Sequence, residues 1–481
     1  MRTPNRVGAA LMAASLAGCA AVGPDFKRPE VAAPAGYAMT GDPAASTVAL
    51  VPEARAGGVW WAALGSPDLD RVIRQALADS PTLAEADAVL ARARAQSDAA
   101  RGRLGPDADL DASANRDRIN TTALGFAGFP SPTVNLYRVG GTVSYDLDLF
   151  GGRRRMVEAQ SAKAEAEARR ADAAYLSLTA NVALAAVRIA SLRAELAAVE
   201  ATIADDQRIS DMTAAAERAG GEARSSLSSI ASQLAEDEAL RPPLQASLAQ
   251  ARHRLGLLAG QAPGAWAPPT FDLAGFSAPA EIPVELPSAL ARRRPDILAA
   301  EADLHAATAQ IGVKTAELYP NVKLSASLTQ TAISPEDLFG YSASGWTIGG
   351  ALTAPILQRG VIKSEKRAAE ADARAAMARY QQTVLVAFVQ VADSLADLAH
   401  NGAALAALRR AEDAAAANLH DAELSYRLGG GPLLRTIDAQ RQLSQARRAR
   451  VRAEATRLED VVRLYAAVGA DWRDAPAAST Q

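Results

Sequence analysis

Two hydrophobic periods share this chain of 481 residues. The first is two: Ala108, Leu110, Ala112 and Ala114 alternate with Asp107, Asp109, Asp111, Ser113 and Asn115, and Val143, Tyr145, Leu147 and Leu149 alternate with Thr142, Ser144, Asp146 and Asp148. Further on, Val322, Leu324, Ala326 and Leu328 alternate with Asn321, Lys323, Ser325 and Ser327, and Trp346, Ile348 and Leu352 with Thr347, Gly349 and Thr353. Successive strand side chains point to opposite faces, so each segment predicts a strand with one apolar face. The second period is three to four. Ile189, Leu192, Leu196, Val199 and Ile203 follow it, as do Val384, Phe388, Val391, Leu395, Leu398 and Leu405, the spacing of a coiled-coil seam. Residues 153–218 and 361–428 contain no proline, so each predicts one continuous helix of roughly 100 Å at about 1.5 Å per residue. Another helix is predicted over 68–103, stopped by Gly102, Gly105 and Pro106.

The pattern occurs twice. Residues 81–113 align without a gap to 295–327, pairing Pro81 with Pro295, Leu104 with Leu318, Pro106 with Pro320, Leu110 with Leu324 and Ser113 with Ser327. A second block pairs 164–166 with 369–371 and Tyr175 with Tyr380. The expected organisation is two structural repeats, 63–262 and 288–470, each reading helix, strand, strand, long helix, helix. A Pro-rich connector over 263–287 separates them, and 471–481 is expected to be a flexible tail.

A soluble sheet backed by a core would also show period-two segments. Two features favour a membrane sheet: each segment is about 9 to 11 residues, enough to cross a bilayer at a tilt, and the polar side of the first carries a row of acids. Four strands cannot close a barrel, and open edges are not tolerated in lipid. Several chains must then share one barrel, and a trimer supplies twelve strands, with 116–138 and 330–344 as the extracellular loops. The heptads alone would suit a plain intramolecular bundle equally well.

Composition adds that about a quarter of the residues are Ala and only 5% are aromatic, a bias toward closely packed helices. A net charge of -3 excludes a nucleic-acid binder. Arg2 and Arg6 precede an apolar run over 7–17 that is too short to span a membrane and reads as a signal peptide, 1–18. It ends Leu16-Ala17-Gly18-Cys19, which resembles a lipobox, so Cys19, the sole cysteine, is the expected lipidation site and opens a lipid-anchored extended segment, 19–62. Ala20, where an Asp would favour inner-membrane retention, points to the outer membrane. No other apolar run approaches 18 residues, so no spanning helix is expected. His253, His305, His400 and His420 lack ligand spacing, Asp146 and Asp148 share one strand face, and no Gly-rich phosphate loop exists. Neither enzyme chemistry nor a cofactor or metal is expected.

Five separated strings carry a resemblance: Val22-Gly23-Pro24-Asp25-Phe26 after Cys19, Trp60-Trp61 with Leu64-Gly65, 145–151, Arg293-Arg294-Pro295-Asp296-Ile297, and Ile437-Asp438-Ala439-Gln440-Arg441. With them the chain resembles the outer-membrane channels of tripartite efflux pumps, in their nodulation-type (NodT) lipoprotein subgroup. The resemblance implies a mainly α fold with a small β part: a homotrimer whose 12-stranded β-barrel sits above a long α-helical coiled-coil barrel. It implies a passive exit duct for drugs or other small molecules. The implied partners are a periplasmic adaptor protein, an inner-membrane RND-type transporter and outer-membrane lipid. A periplasmic gate is implied at the tip, 426–441, with Asp438 on an acidic position and Tyr426 on a tethering one. An Asp favoured by a helix N-terminus is the other reading of Asp438. Arg435 stands where some members carry an acid, Gly431 replaces a tethering Arg, and Ser228 replaces a common Asp. A gate of reduced negative charge follows, with Arg435 expected to pair with Asp438 within a chain or across neighbours. The turns holding Gly220, Gly221, Gly429 and Gly430 are the expected adaptor-docking tips. The rival is a structural coiled-coil lipoprotein, a spacer or adhesin.

Overall fold

The computed structural model describes residues 21–30, 34, 36, 37, 39, 49–51, 59–123, 125, 128–279, 281–284 and 287–469. The expected signal peptide, Cys19 and the tail from 471 lie outside them. The main elements are α1 (Pro67–Asp79), α2 (Pro81–Gly102), β1 (Asp107–Arg118), β2 (Thr133–Asp146), α3 (Gly152–Arg218), α4 (Arg224–Glu238) and α5 (Arg241–Leu258), followed by α6 (Pro295–Ala316), β3 (Asn321–Ala332), β4 (Ser344–Thr353), α7 (Arg359–Arg427) and α8 (Leu433–Ala467). The chain is mostly helical with a small strand part, and α3 and α7 are unbroken over 67 and 69 residues.

The predicted helix over 68–103 is two helices. Ser80 is extended, with ψ 120, because the ring of Pro81 disfavours the helical region for the residue before it. Pro81 then opens α2, where its missing N–H costs nothing. Upstream, Ser66 caps α1 by accepting the N–H of Leu69, and Asp68 and Asp70 occupy the first turn, where the helix dipole favours acids. Among the described residues one helix, α7, contains an 18-residue window of mean hydropathy 1.3, long and apolar enough to cross a membrane, where none was expected. Only 33% of that window is buried.

The chain divides into two compact units. The first comprises Met1–Pro29, Val89–Ala168 and Ala299–Tyr380. It holds one antiparallel sheet in the order β1-β2-β3-β4. Register carries the period-two pattern across all four strands. Ala108, Val143, Ala326 and Ile348 form one row, and Leu110, Gly141, Leu328 and Trp346 the next on the same face. Asp109, Thr142, Ser327 and Thr347 form a row on the other. The apolar face is bare: Leu110 is 82% exposed, Ile348 76% and Trp346 74%. Strands β1 and β4 are the sheet's two outer edges.

One predicted stretch of alternation ends early. Strand β2 stops at Asp146, so Leu147, Asp148 and Leu149 fall outside it. Asp148 takes a left-handed backbone, φ 43, and its carboxylate accepts the N–H groups of Arg153 at 2.9 Å and Arg154 at 3.0 Å. It therefore caps α3 instead of lining the sheet beside Asp146. Asp146 accepts from Asn321 at 3.0 Å and pairs with Arg153.

The second unit comprises Glu30–Ala88, Arg169–Leu298 and Gln381–Gln481. Its core joins Val182, Ala183, Ala186 and Ala190 of α3 to Leu69 and Ile73 of α1, Val461 and Val462 of α8, and Trp60, Trp61 and Phe271 from the connections. Trp60 stacks on Tyr465 at 5.5 Å, and the Trp61 indole donates to Asp70 at 3.0 Å. A hydrogen bond from Arg74, aided by that indole, holds the Asp70 carboxyl below its usual range. Buried Arg294 grips Asp296, Gln390 and the carbonyl of Ala467. Two of the five strings that carry the resemblance, Trp60-Trp61 and residues 293–297, thus pack the core.

Candidate functional site

Three places gather polar side chains with a defined job. The first, in the first unit, seats the segment that follows Cys19. Arg155, on the first turn of α3, is buried to 6% exposure and donates to the carbonyls of Ala21, Val22 and Gly23, to Asp25 at 2.6 Å and to Glu158 at 2.7 Å. Val22 N–H donates to the carbonyl of Phe150 at 3.0 Å. Phe26 stacks on His305 at 4.4 Å, and the His305 Nε2 lies 2.9 Å from Glu158. Any side chain at Gly312 would meet the Arg155 stem at 2.7 Å, so a glycine is required there. His305 is therefore a packing residue.

The second place is the sheet. Its polar face carries Asp107, Asp109 and Asp111 on the edge strand β1, with serines and threonines across the inner strands. The third place is the pair of helix turns in the second unit. Both long helices end the same way. Gly220 and Gly429 share a φ of 75, which only glycine adopts without strain. Gly221 N–H closes onto the carbonyl of Ala216 at 2.8 Å, and Gly430 N–H onto that of Ser425 at 2.9 Å. These are Schellman turns, which reverse the chain while satisfying its last carbonyls. A Cβ at Gly431 would stand 2.7 Å from the Ser425 hydroxyl, which rotation of that side chain can relieve.

Between these turns lies a small apolar cluster of Ile209, Ile230, Leu433 and Ile437, with Leu227 and Tyr426 packed on it. Burial pushes the Tyr426 hydroxyl up from its ordinary pKa, with help from Glu222. Asp438 is exposed and lies 4.0 Å from Arg441. Within the chain its ionic partner is therefore Arg441, one turn on, and not Arg435. Arg435 is exposed, and its backbone N–H donates to the carbonyl of Pro432. Ser228 donates to the Arg224 carbonyl at 3.2 Å. Above the apolar cluster lies a buried polar group that the sequence reading passed over. It joins Asp206 of α3 to Gln233 and Asp237 of α4 and Arg441 of α8. A signal was available: Asp206 follows Val199 and Ile203 at seam spacing, an acid where the pattern calls for an apolar residue.

The family model described as "Outer membrane efflux protein" matches residues 72–261 and 286–470. The pyoverdine export outer membrane protein OpmQ of Pseudomonas putida is 28% identical over 453 residues, covering 93% of this chain and 94% of its own. The probable outer membrane lipoprotein SilC of Salmonella typhimurium is 28% identical over 471 residues, covering 95% and 96%. The solved outer-membrane channel OprN superposes with a TM-score of 0.86 at 30% identity, covering 94% of this chain and 99% of that one. By sequence and by fold, this chain belongs to the outer membrane efflux protein family.

Proposed function

We propose that three copies of this chain assemble head to tail into one exit duct in the outer membrane, through which drugs or other small molecules leave an efflux pump. The observation that carries the reading is the open four-stranded sheet with its apolar rows bare. In an antiparallel meander of four strands, β4 runs opposite to β1. The β4 of one copy therefore pairs antiparallel with the β1 of the next, and three copies close the ring without a mismatched edge. Two copies would give eight strands, whose interior side chains fill, whereas twelve leave an aqueous lumen. The apolar rows then face lipid, and Asp107, Asp109 and Asp111 face the lumen.

The long helices continue the duct into the periplasm as a coiled-coil barrel. There the tip around Tyr426 and Asp438 is the gate, with three Asp438 carboxylates forming a ring that favours cations. The turns at Gly220–Gly221 and Gly429–Gly430 dock a periplasmic adaptor that connects to an RND-type inner-membrane transporter, the energy source. Cys19 is acylated, and Arg155 holds the segment after it. The internal repeat fits this form, because each half contributes one hairpin and one helix turn. Heat-resistant trimers on gels together with stepwise conductance in planar bilayers test the proposal. A detergent-free, water-soluble monomer without conductance would end it.

A further inference from the structure

The buried group above the tip cluster has an unusual charge balance. Asp206 is 1% exposed and Asp237 5%, on consecutive helices, and each carboxyl lies within electrostatic reach of the other. The second oxygen of Asp206 is buried without any hydrogen-bond partner. Arg441, the cation that favours the charged form of Asp206, does not touch it. Arg441, on α8, donates to the Gln233 carbonyl oxygen at 2.8 and 2.5 Å, and the Gln233 amide donates to Asp237 at 2.6 Å. Its positive charge thus reaches the pair only through a neutral amide. From α3 itself Asp205 adds negative charge, which is met by Arg208 at 3.0 Å and by the Gln440 amide at 3.3 Å. Arg208 is also 3.8 Å from Glu423 on α7. Two buried carboxylates with one bare oxygen and no direct cation cannot both be ionised at ordinary cost. A proton on Asp206 resolves the geometry.

We propose that Asp206 keeps its proton beside the Asp237 carboxylate and that the pair acts as a pH-sensitive latch joining α3 to α4 at the tip. Losing that proton to water leaves two like charges facing each other in a dry site, and the helices part. Burial, then Asp237, raises the Asp206 carboxyl to about 7, so the latch is closed in mildly acid medium and released in mildly alkaline medium. The sign follows from linkage: a carboxyl whose folded pKa is raised penalises the closed packing increasingly from its ordinary value near 4 up to about 7, and by a constant amount above. The link from latch to flow rests on the tip being the channel's gate.

Hydrogen exchange of the backbone amides over 224–238 in the full-length protein, taken as the ratio of wild type to Asp206→Asn at each pH, cancels the intrinsic pH dependence of exchange. That ratio is expected to rise about tenfold between pH 6 and pH 8, the interval in which the closed-state carboxyl loses most of its proton. Asp237→Asn, which keeps the shape and removes the second charge, is expected to shrink the rise to the part that burial of Asp206 alone supplies. A ratio equal at both pH values, or a rise undiminished in Asp237→Asn, overturns the latch. Conductance over the same pH step separates the two readings. A parallel increase supports both, whereas exchange that changes at constant conductance keeps the latch and removes the gate.

Discussion

The two long helices α3 and α7 occupy matching places in the two halves and end in the same glycine turn, yet they live in different surroundings. Within the second unit α3 is enclosed: Val182, Ala183, Ala186, Val187 and Ala190 are all fully buried, and the same helix buries Glu195, Thr202, Asp206 and Thr213. On α7 the buried positions Val384, Ala387 and Val391 form one stripe, and Leu385, Val386 and Val389 beside it are exposed by 59%, 40% and 56%. One copy of the repeat is consumed by the chain's own core. The other keeps a free apolar flank, the kind of surface that a symmetric assembly covers.

The strongest way to break that comparison is to put the same charge on both helices. Val182→Asp on α3 is expected to prevent accumulation of folded protein, because an unpaired buried carboxylate costs several kcal/mol. Val389→Asp on α7 is expected to leave a folded chain of unchanged helix content that no longer runs as a heat-resistant trimer. If both variants lose folding equally, α7 has no free flank. Next in size is Arg155→Gln at the start of α3. It removes the buried guanidinium that holds the carbonyls of Ala21, Val22 and Gly23 and should lower unfolding free energy in denaturant titration by about 2 kcal/mol.

The turns are where the two helices should respond alike. Gly220→Ala and Gly429→Ala each force a side chain into the left-handed region and are expected to cost about 1 kcal/mol, equal to within about half of that, in chemical denaturation. A clear inequality would mean that the two tips carry different loads. The smallest stability effect belongs to Asp438→Asn, within about 0.5 kcal/mol, because its contact with Arg441 is long and exposed. Its expected effect is on cation selectivity in bilayers, and unchanged selectivity would remove Asp438 from the gate.

What could be read in advance was whatever a local period or a special residue dictates. Alternation over 107–115, 142–146, 321–328 and 346–353 specifies strands with one apolar face, because the pleat leaves a strand no other choice. The absence of proline over 153–218 permits the unbroken α3, and glycines at 220, 221, 429 and 430 mark its end and that of α7. The break at Ser80 was equally legible from Pro81. Alternation misled at Asp148, because the period continues through residues that have already left the sheet to cap a helix.

Contacts between separate elements are a different matter. The grip of Arg155 on residues 21–25 and the meeting of Asp206 with Asp237 and Arg441 depend on which helices lie side by side, and no local period encodes that choice. By itself the sequence determined the elements, their faces and the doubled plan, since backbone geometry translates spacing directly into side-chain direction. Only the tertiary structure decided that α3 is enclosed while α7 keeps an open flank, and that a seam acid is dry beside another, because burial is a property of neighbours and not of spacing.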